Sequence, residues 1–173
     1  MSGFFALFDR TVRALTALSG FVAGILILLV SFMIAYEVFM RGVFNAPTEW
    51  SIEISVYLVM ACGFFGLAPA LAGGNHICVD LVTSKLSPST NKKLRIGTSV
   101  IGMLFCLILT IAGIDMVLAS YEMDSLSTST LRIPLYIPQM AIPIGSALIV
   151  LEFLRQLFAD IFSSSATKEG KKC

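Results

Sequence analysis

The chain has 173 residues, 57% of them hydrophobic and 13% charged, with a formal net charge of +1 and a mean hydropathy of +0.89. Soluble domains carry roughly a quarter charged residues, so this balance excludes an ordinary water-soluble globule and makes lipid the main solvent. No basic stripe or basic–aromatic interleaving is present, which excludes a nucleic-acid-binding chain.

A helix needs about 20 apolar residues to cross the hydrocarbon core. Four runs meet that length, approximately Leu15–Met40, Ser51–Ala72, Ile96–Ala119 and Tyr136–Phe158. The expected fold is therefore an all-α integral membrane protein with four transmembrane helices. Residues 1–162 would form one four-span domain, and 163–173 a polar, basic cytoplasmic tail. The first run is too long for a cleavable signal and lacks a small-x-small cleavage site, so it is read as a retained span.

The N-terminal stretch FFALFDRTVRALTALSG is amphipathic and reads as an interfacial approach to span one. Within that span Ala17, Gly20, Gly24, Ser31 and Ala35 recur at helical spacing, which marks them as a close-packing face. Glu37 and Arg41 are an (i, i+4) pair near its end, an arrangement that lowers the cost of holding both groups near lipid.

The connector RGVFNAPTEWSIE, Arg41 to Glu53, holds the only tryptophan. Pro47 suits the first turn of the next helix, with Asn45 or Thr48 available as its cap. Glu49 and Glu53 fall in that helix's first two turns, where the positive dipole end favours them. As a like-charged (i, i+4) pair they are mildly unfavourable, so a cationic or hydrogen-bonding partner is expected for one of them.

Gly73 and Gly74 end span two. Beyond them Ile77, Cys78, Leu81, Val82 and Leu86 share one helical face, which predicts a short amphipathic helix in the middle loop. His76 reads as a cap or hydrogen-bonding residue, with a proton relay as the alternative. The third loop is rich in hydroxyls from Ser125 to Thr130. Its composition resembles a linker, yet Leu131 and Ile133 around Arg132 predict an ordered segment. Pro138 fits the first turn of span four, and Pro143 is interior and predicts a bend.

Charge sets the expected orientation. With the N-terminus cytoplasmic, Arg10, Arg13, Lys85, Lys92, Lys93, Arg95, Arg155, Lys168, Lys171 and Lys172 lie inside. Only Arg41 and Arg132 then lie outside. This satisfies the positive-inside rule with both termini and the middle loop cytoplasmic. The outer face would be net acidic, a surface suited to a basic partner.

The chemistry of catalysis or coupling is missing from this pattern. Cys62, Cys78, Cys106 and Cys173 form no CxxC, so a quinone-linked disulfide-forming enzyme does not fit. One histidine cannot assemble a zinc or haem site. Glu37, Glu53, Asp115 and Glu152 all lie within about two turns of a span end, leaving the span centres uncharged, unlike transporter sites. A scaffold that packs on a larger membrane protein is the expected role, with no bound cofactor or metal. A stand-alone membrane adaptor and an integral-membrane enzyme of unknown chemistry are the alternatives.

Three motifs in order resemble the small, DctQ-type membrane subunit of tripartite ATP-independent periplasmic (TRAP) transporters. They are RGVFNAPTEWSIEI at the first outer loop, GLAPALAGGNHICVDLV at the exit of span two, and STSTLRIPLYIPQMAIPIGSAL at the third loop and fourth span. Together they cover roughly Arg41 to Leu148. The resemblance implies a non-enzymatic inner-membrane subunit paired with a large multi-span subunit that holds the substrate and sodium sites. A periplasmic substrate-binding protein would deliver an organic acid to the pair. It further implies that Arg41, Asn45, Trp50 and Glu53 contact the large subunit, with Glu53 held by a cation or amide from that partner. His76 and Asp80 would fix the inner loop, and Thr130, Ile133 and Pro134 would shape the outer loop that meets the binding protein. Pro143 and Gly145 fall in its Pro-x-Gly element, read as the bend of span four.

Overall fold

The computed structural model describes residues 2–46, 48–73, 88–129 and 131–169, and within them the chain is helical with short connections. The helices are α1 (Ser2–Phe44), α2 (Glu49–Ala72), α3 (Pro88–Glu122), the single turn α4 (Tyr136–Gln139) and α5 (Ala141–Glu169). Four segments are long and apolar enough to cross a membrane: Leu7–Phe44, Trp50–Ala72, Ile96–Glu122 and Tyr136–Ala159. These correspond to the four expected spans, with longer helices. The N-terminal approach is continuous with span one, α3 starts at Pro88, and α5 runs on to Glu169. The expected middle-loop helix, with His76 and Asp80, lies outside the described residues.

The helices run up, down, up and down, so the bundle has a terminal end (Asp9, Leu71, Glu152) and a loop end (Arg41–Glu53 and Met123–Leu135). α2 and α5 form the centre: α1 packs chiefly on α2, and α3 on α5 and α4. Among the described residues α3 makes no comparable contact with α1 or α2. The buried apolar cluster is small, with Ala68, Leu71, Ile149 and Phe153 joined by Met103, Cys106 and Leu148. Much of the aliphatic surface is left bare, and only 6% of α3's most apolar window is buried. A water-soluble helix would place that surface in a core; here lipid or protein must cover it.

Glycines set the closest approaches. A Cβ at Gly145 would lie 2.6 Å from Phe64 Cβ and 2.8 Å from its backbone carbonyl, so α5 crosses α2 with backbones nearly touching. A Cβ at Gly102 would meet the Phe153 ring at 2.7 Å. Gly145, expected as part of a bend, is thus a helix–helix contact point. The helix itself is interrupted at Met140, between α4 and α5. Pro143 lies one turn beyond that break, where its missing N–H sits in the first turn of α5.

α1 packs within the chain on a face beside its small-residue stripe. Its buried residues are Val12, Thr16, Ser19, Ala23, Val30 and Glu37, whereas Ala17, Gly24, Ser31 and Ala35 are exposed and only Gly20 is partly covered, beside Pro69. The small-residue stripe is therefore not the face that packs within this chain. The buried stripe lies one residue earlier, a rotation of about 100° around the helix.

Candidate functional site

The loop end gathers most of the residues singled out in sequence. α1 ends at Phe44, and Asn45 follows with φ 52°, a left-handed conformation that asparagine tolerates better than most residues. Ala46 N–H then donates to Met40 O at 3.3 Å. Asn45 therefore closes α1 and does not cap α2. Thr48 holds the N-cap position of α2, but its side chain makes no capping bond. The Thr48 carbonyl accepts from Ser51 N–H at 3.1 Å. Pro47 and the Glu49 side chain lie outside the described residues.

Ser51 locks the two helices in register, since its buried hydroxyl donates to Met33 O at 3.3 Å. One turn nearer the loop, the Tyr36 and Trp50 rings meet at 6.1 Å with a 45° tilt. Trp50 remains 42% exposed, so it presents an indole face outward beside its tyrosine neighbour. Glu37 and Arg41 form the expected pair, Arg41 Nε to Glu37 Oε1 at 3.7 Å. The carboxylate is buried and the arginine side chain is 61% exposed.

Glu53 has partners within its own chain. Tyr57 donates its hydroxyl at 2.9 Å from the next turn of α2. Ser127 Oγ donates to Oε1 and Ser129 Oγ to Oε2, from the third loop. The hydrogen-bonding partner expected for one of the two glutamates is thus supplied to Glu53 by three hydroxyls of its own chain, because the loop folds back over the start of α2.

That loop is ordered by backbone bonds. α3 ends in a Schellman motif: Asp124 has φ 45°, its N–H donates to Tyr121 O at 3.2 Å, and Ser125 N–H donates to Ser120 O at 3.0 Å. A small hairpin follows, with Leu126 paired to Pro134. Ser127 N–H donates to Ile133 O at 2.9 Å and Leu135 N–H to Ser125 O at 3.0 Å. Ile133 and Pro134 are half-buried in this hairpin, while Arg132 is exposed near its tip with φ 46°. Thr130 lies outside the described residues. Arg41, Asn45, Trp50, Glu53, Ile133 and Pro134 thus share one end of the bundle, while Pro143 and Gly145 lie further along, in α5.

A second polar centre, at the terminal end, exceeds what sequence reasoning anticipated. Glu152 is 0% exposed. It accepts from Arg155 Nε at 2.9 Å and Nη2 at 2.5 Å, and from Gln156 Nε2 at 3.2 Å. Thr16 Oγ1 approaches it from α1 at 3.5 Å. Arg155 also reaches Asp9 at 3.3 Å, Asp9 pairs with Arg13 at 2.8 Å, and Gln156 donates to Leu71 O at 3.1 Å. The Glu152–Arg155 spacing was visible as an (i, i+3) pair. Its links to α1 and α2 carry no local signal.

Among the described residues no group of three or more His, Cys, Asp or Glu side chains can hold a metal. The described polar groups do structural work: they fix helix ends, register and a loop.

The family model for the DctQ component of tripartite ATP-independent periplasmic transporters matches residues 30–163. A relative from Rhodobacter capsulatus, the C4-dicarboxylate TRAP transporter small permease protein DctQ, is 30% identical over 110 residues, 63% of this chain and 48% of that protein. The chain thus spans about half the length of the relative it matches. The matched family segment takes in the last third of α1, all of α2 and α3, the Glu53 hairpin and most of α5. With this match across 30–163, and with four helices long and apolar enough to cross a bilayer, the chain belongs to the DctQ family, the DctQ component of tripartite ATP-independent periplasmic transporters.

Proposed function

We propose that the chain is the small permease subunit of a sodium-driven TRAP transporter for organic acids, and that it braces a large transport subunit within the membrane. The observation that carries this reading is the family match across 30–163. The geometry agrees with it. Among the described residues α3 is attached to the rest of the protein along one side, and residues such as Phe105 and Ile108 are each 66% exposed. Such a flank suits a partner helix better than it suits isolation.

In this reading both termini are cytoplasmic by the positive-inside rule, and the loop end faces the periplasm. The hairpin over Glu53 then lies where a substrate-binding protein would dock. Trp50 and Arg41 border the large subunit or its lipid seam. Substrate selection and sodium coupling would reside on the other components, since no described residue of this chain offers a site for them. The name of the Rhodobacter capsulatus relative makes C4-dicarboxylates the first substrates to assay.

The test is co-purification in mild detergent with the large subunit, followed by uptake in proteoliposomes. The complete set is expected to show sodium-dependent uptake, and this chain alone none. Failure of the two membrane subunits to associate, or robust uptake by this chain alone, overturns the reading.

A further inference from the structure

Three carboxylates near span ends differ in how they are satisfied. Glu53 accepts from three hydroxyls, and Glu152 from Arg155 and Gln156. Glu37 is 7% exposed, yet its Oε1 accepts no hydrogen bond. Arg41 Nε, at 3.7 Å, stands outside hydrogen-bond range. A buried carboxylate oxygen without a donor is unfavourable, so the arrangement calls for a donor that the described chain does not supply.

Glu37 opens into a groove of about 320 Å³ between α1 and α2, walled by Ile34, Ser51, Ile52, Ser55, Val56 and Val59. Its depth is set by the neighbouring Tyr36–Trp50 pair, since such rings lie at headgroup level. From Ile52 to Val59 the α2 wall runs about 10 Å toward the middle of the span. The groove therefore presents a buried acceptor for a cation, an exposed cation one turn nearer the loop end, and a hydrocarbon wall running inward. A phospholipid with an ammonium headgroup carries the complementary set: an ammonium, a phosphate and an acyl chain.

We propose that this groove binds one zwitterionic phospholipid bearing a primary ammonium, such as phosphatidylethanolamine. The ammonium donates to Glu37 Oε1, the phosphate lies against the exposed Arg41 guanidinium, and one acyl chain follows Ile34, Ile52, Val56 and Val59. A quaternary choline has no N–H and leaves Oε1 unsatisfied. Phosphatidylglycerol has no cation to offer. A partner helix laid across α1 and α2 is the rival occupant, but it requires a donor side chain at headgroup depth, where lipid ammonium groups are already abundant.

The test uses the full-length chain in detergent, exposed to phosphatidylethanolamine, phosphatidylcholine or phosphatidylglycerol with identical acyl chains, and read by native mass spectrometry. Because a hydrogen bond to a charged group is involved, the ethanolamine lipid is expected to be retained about tenfold more than the other two. Glu37→Leu is expected to abolish that preference. Glu37→Gln, whose amide oxygen still accepts, reduces it, and Val56→Trp fills the groove and lowers retention of all three lipids. Equal retention of the three lipids by the native chain overturns the proposal, as does a preference that survives Glu37→Leu. Where Glu37→Leu fails to fold, the native comparison and Val56→Trp decide alone. In the assembled complex, a photo-crosslinker at Val56 is expected to capture lipid; capture of the large subunit instead overturns the proposal.

Discussion

The two ends of the bundle solve the same problem with different chemistry. At the terminal end, a fully buried carboxylate is held by a guanidinium and an amide, and the network ties α5 to α1 through Thr16 and Asp9 and to α2 through Leu71 O. Arginine suits this place because its planar fork satisfies one carboxylate twice while reaching another. At the loop end, Glu53 is held by neutral hydroxyls, and what it ties down is a hairpin on the start of one helix. At the terminal end, bonds radiating from a buried ion pair within α5 fix that helix to α1 and α2. Hydroxyl bonds fix a loop that must meet water. The terminal end is therefore expected to govern global stability, and the loop end local order.

Arg155→Leu should break this comparison most forcefully. It leaves Glu152 buried with weaker donors only, and losing one partner of a buried pair costs about 3–5 kcal/mol. Detergent-solubilised protein followed by circular dichroism on heating or denaturation provides the measurement. Replacing Glu152 and Arg155 together by leucine should recover much of the loss, since an apolar pair leaves no stranded charge. A single mutant no worse than the double would mean that the pair is not what holds this end. Gly145→Ala comes next, at about 1–3 kcal/mol from overpacking against Phe64. Gly63→Ala is its control: nothing lies within 4 Å of the added carbon, so the same measurement should stay within about 0.5 kcal/mol.

The contrast between the ends also divides what was legible in sequence from what was not. Span number and approximate bounds followed from run length, because a bilayer demands about 20 apolar residues whatever their order. Glu37–Arg41 and Glu152–Arg155 were legible because helical neighbours declare themselves at three- and four-residue spacing. Glu53 was not, since its loop partners lie 74 and 76 residues away and only the folded loop brings them near. Between Asn45 and Thr48 as the cap of α2 the sequence could not choose, because a residue between two helices sits as close to the one it ends as to the one it precedes; Thr48 holds the cap position and Asn45 closes α1. The α1 stripe is a different case: spacing marked a contact face without naming its neighbour, and the face packed within the chain begins one residue earlier. Bare small residues on α1 are then available to something outside the chain.

Mutations at the loop end should act locally. Glu53→Leu removes the acceptor for Ser127 and Ser129, but the bonds from Ser127 to Ile133 and from Leu135 to Ser125 remain. The hairpin should stay formed while detaching from α2. Amide hydrogen exchange across 123–135 is expected to rise severalfold, with α3 unchanged and the global unfolding transition barely moved, as for a low-stability local opening. Glu53→Gln keeps one acceptor oxygen and should give a smaller rise. Trp50→Ala should have the least effect on exchange, because the indole packs on Tyr36 of α1 and takes no part in the Glu53 hydroxyl bonds. The two residues can thus be separated in the co-purification assay. Loss of the large subunit on Trp50→Ala with unaltered hairpin exchange would assign the indole an outward contact. Loss only on Glu53→Leu would mean that the ordered hairpin, and not the tryptophan, is what the partner recognises.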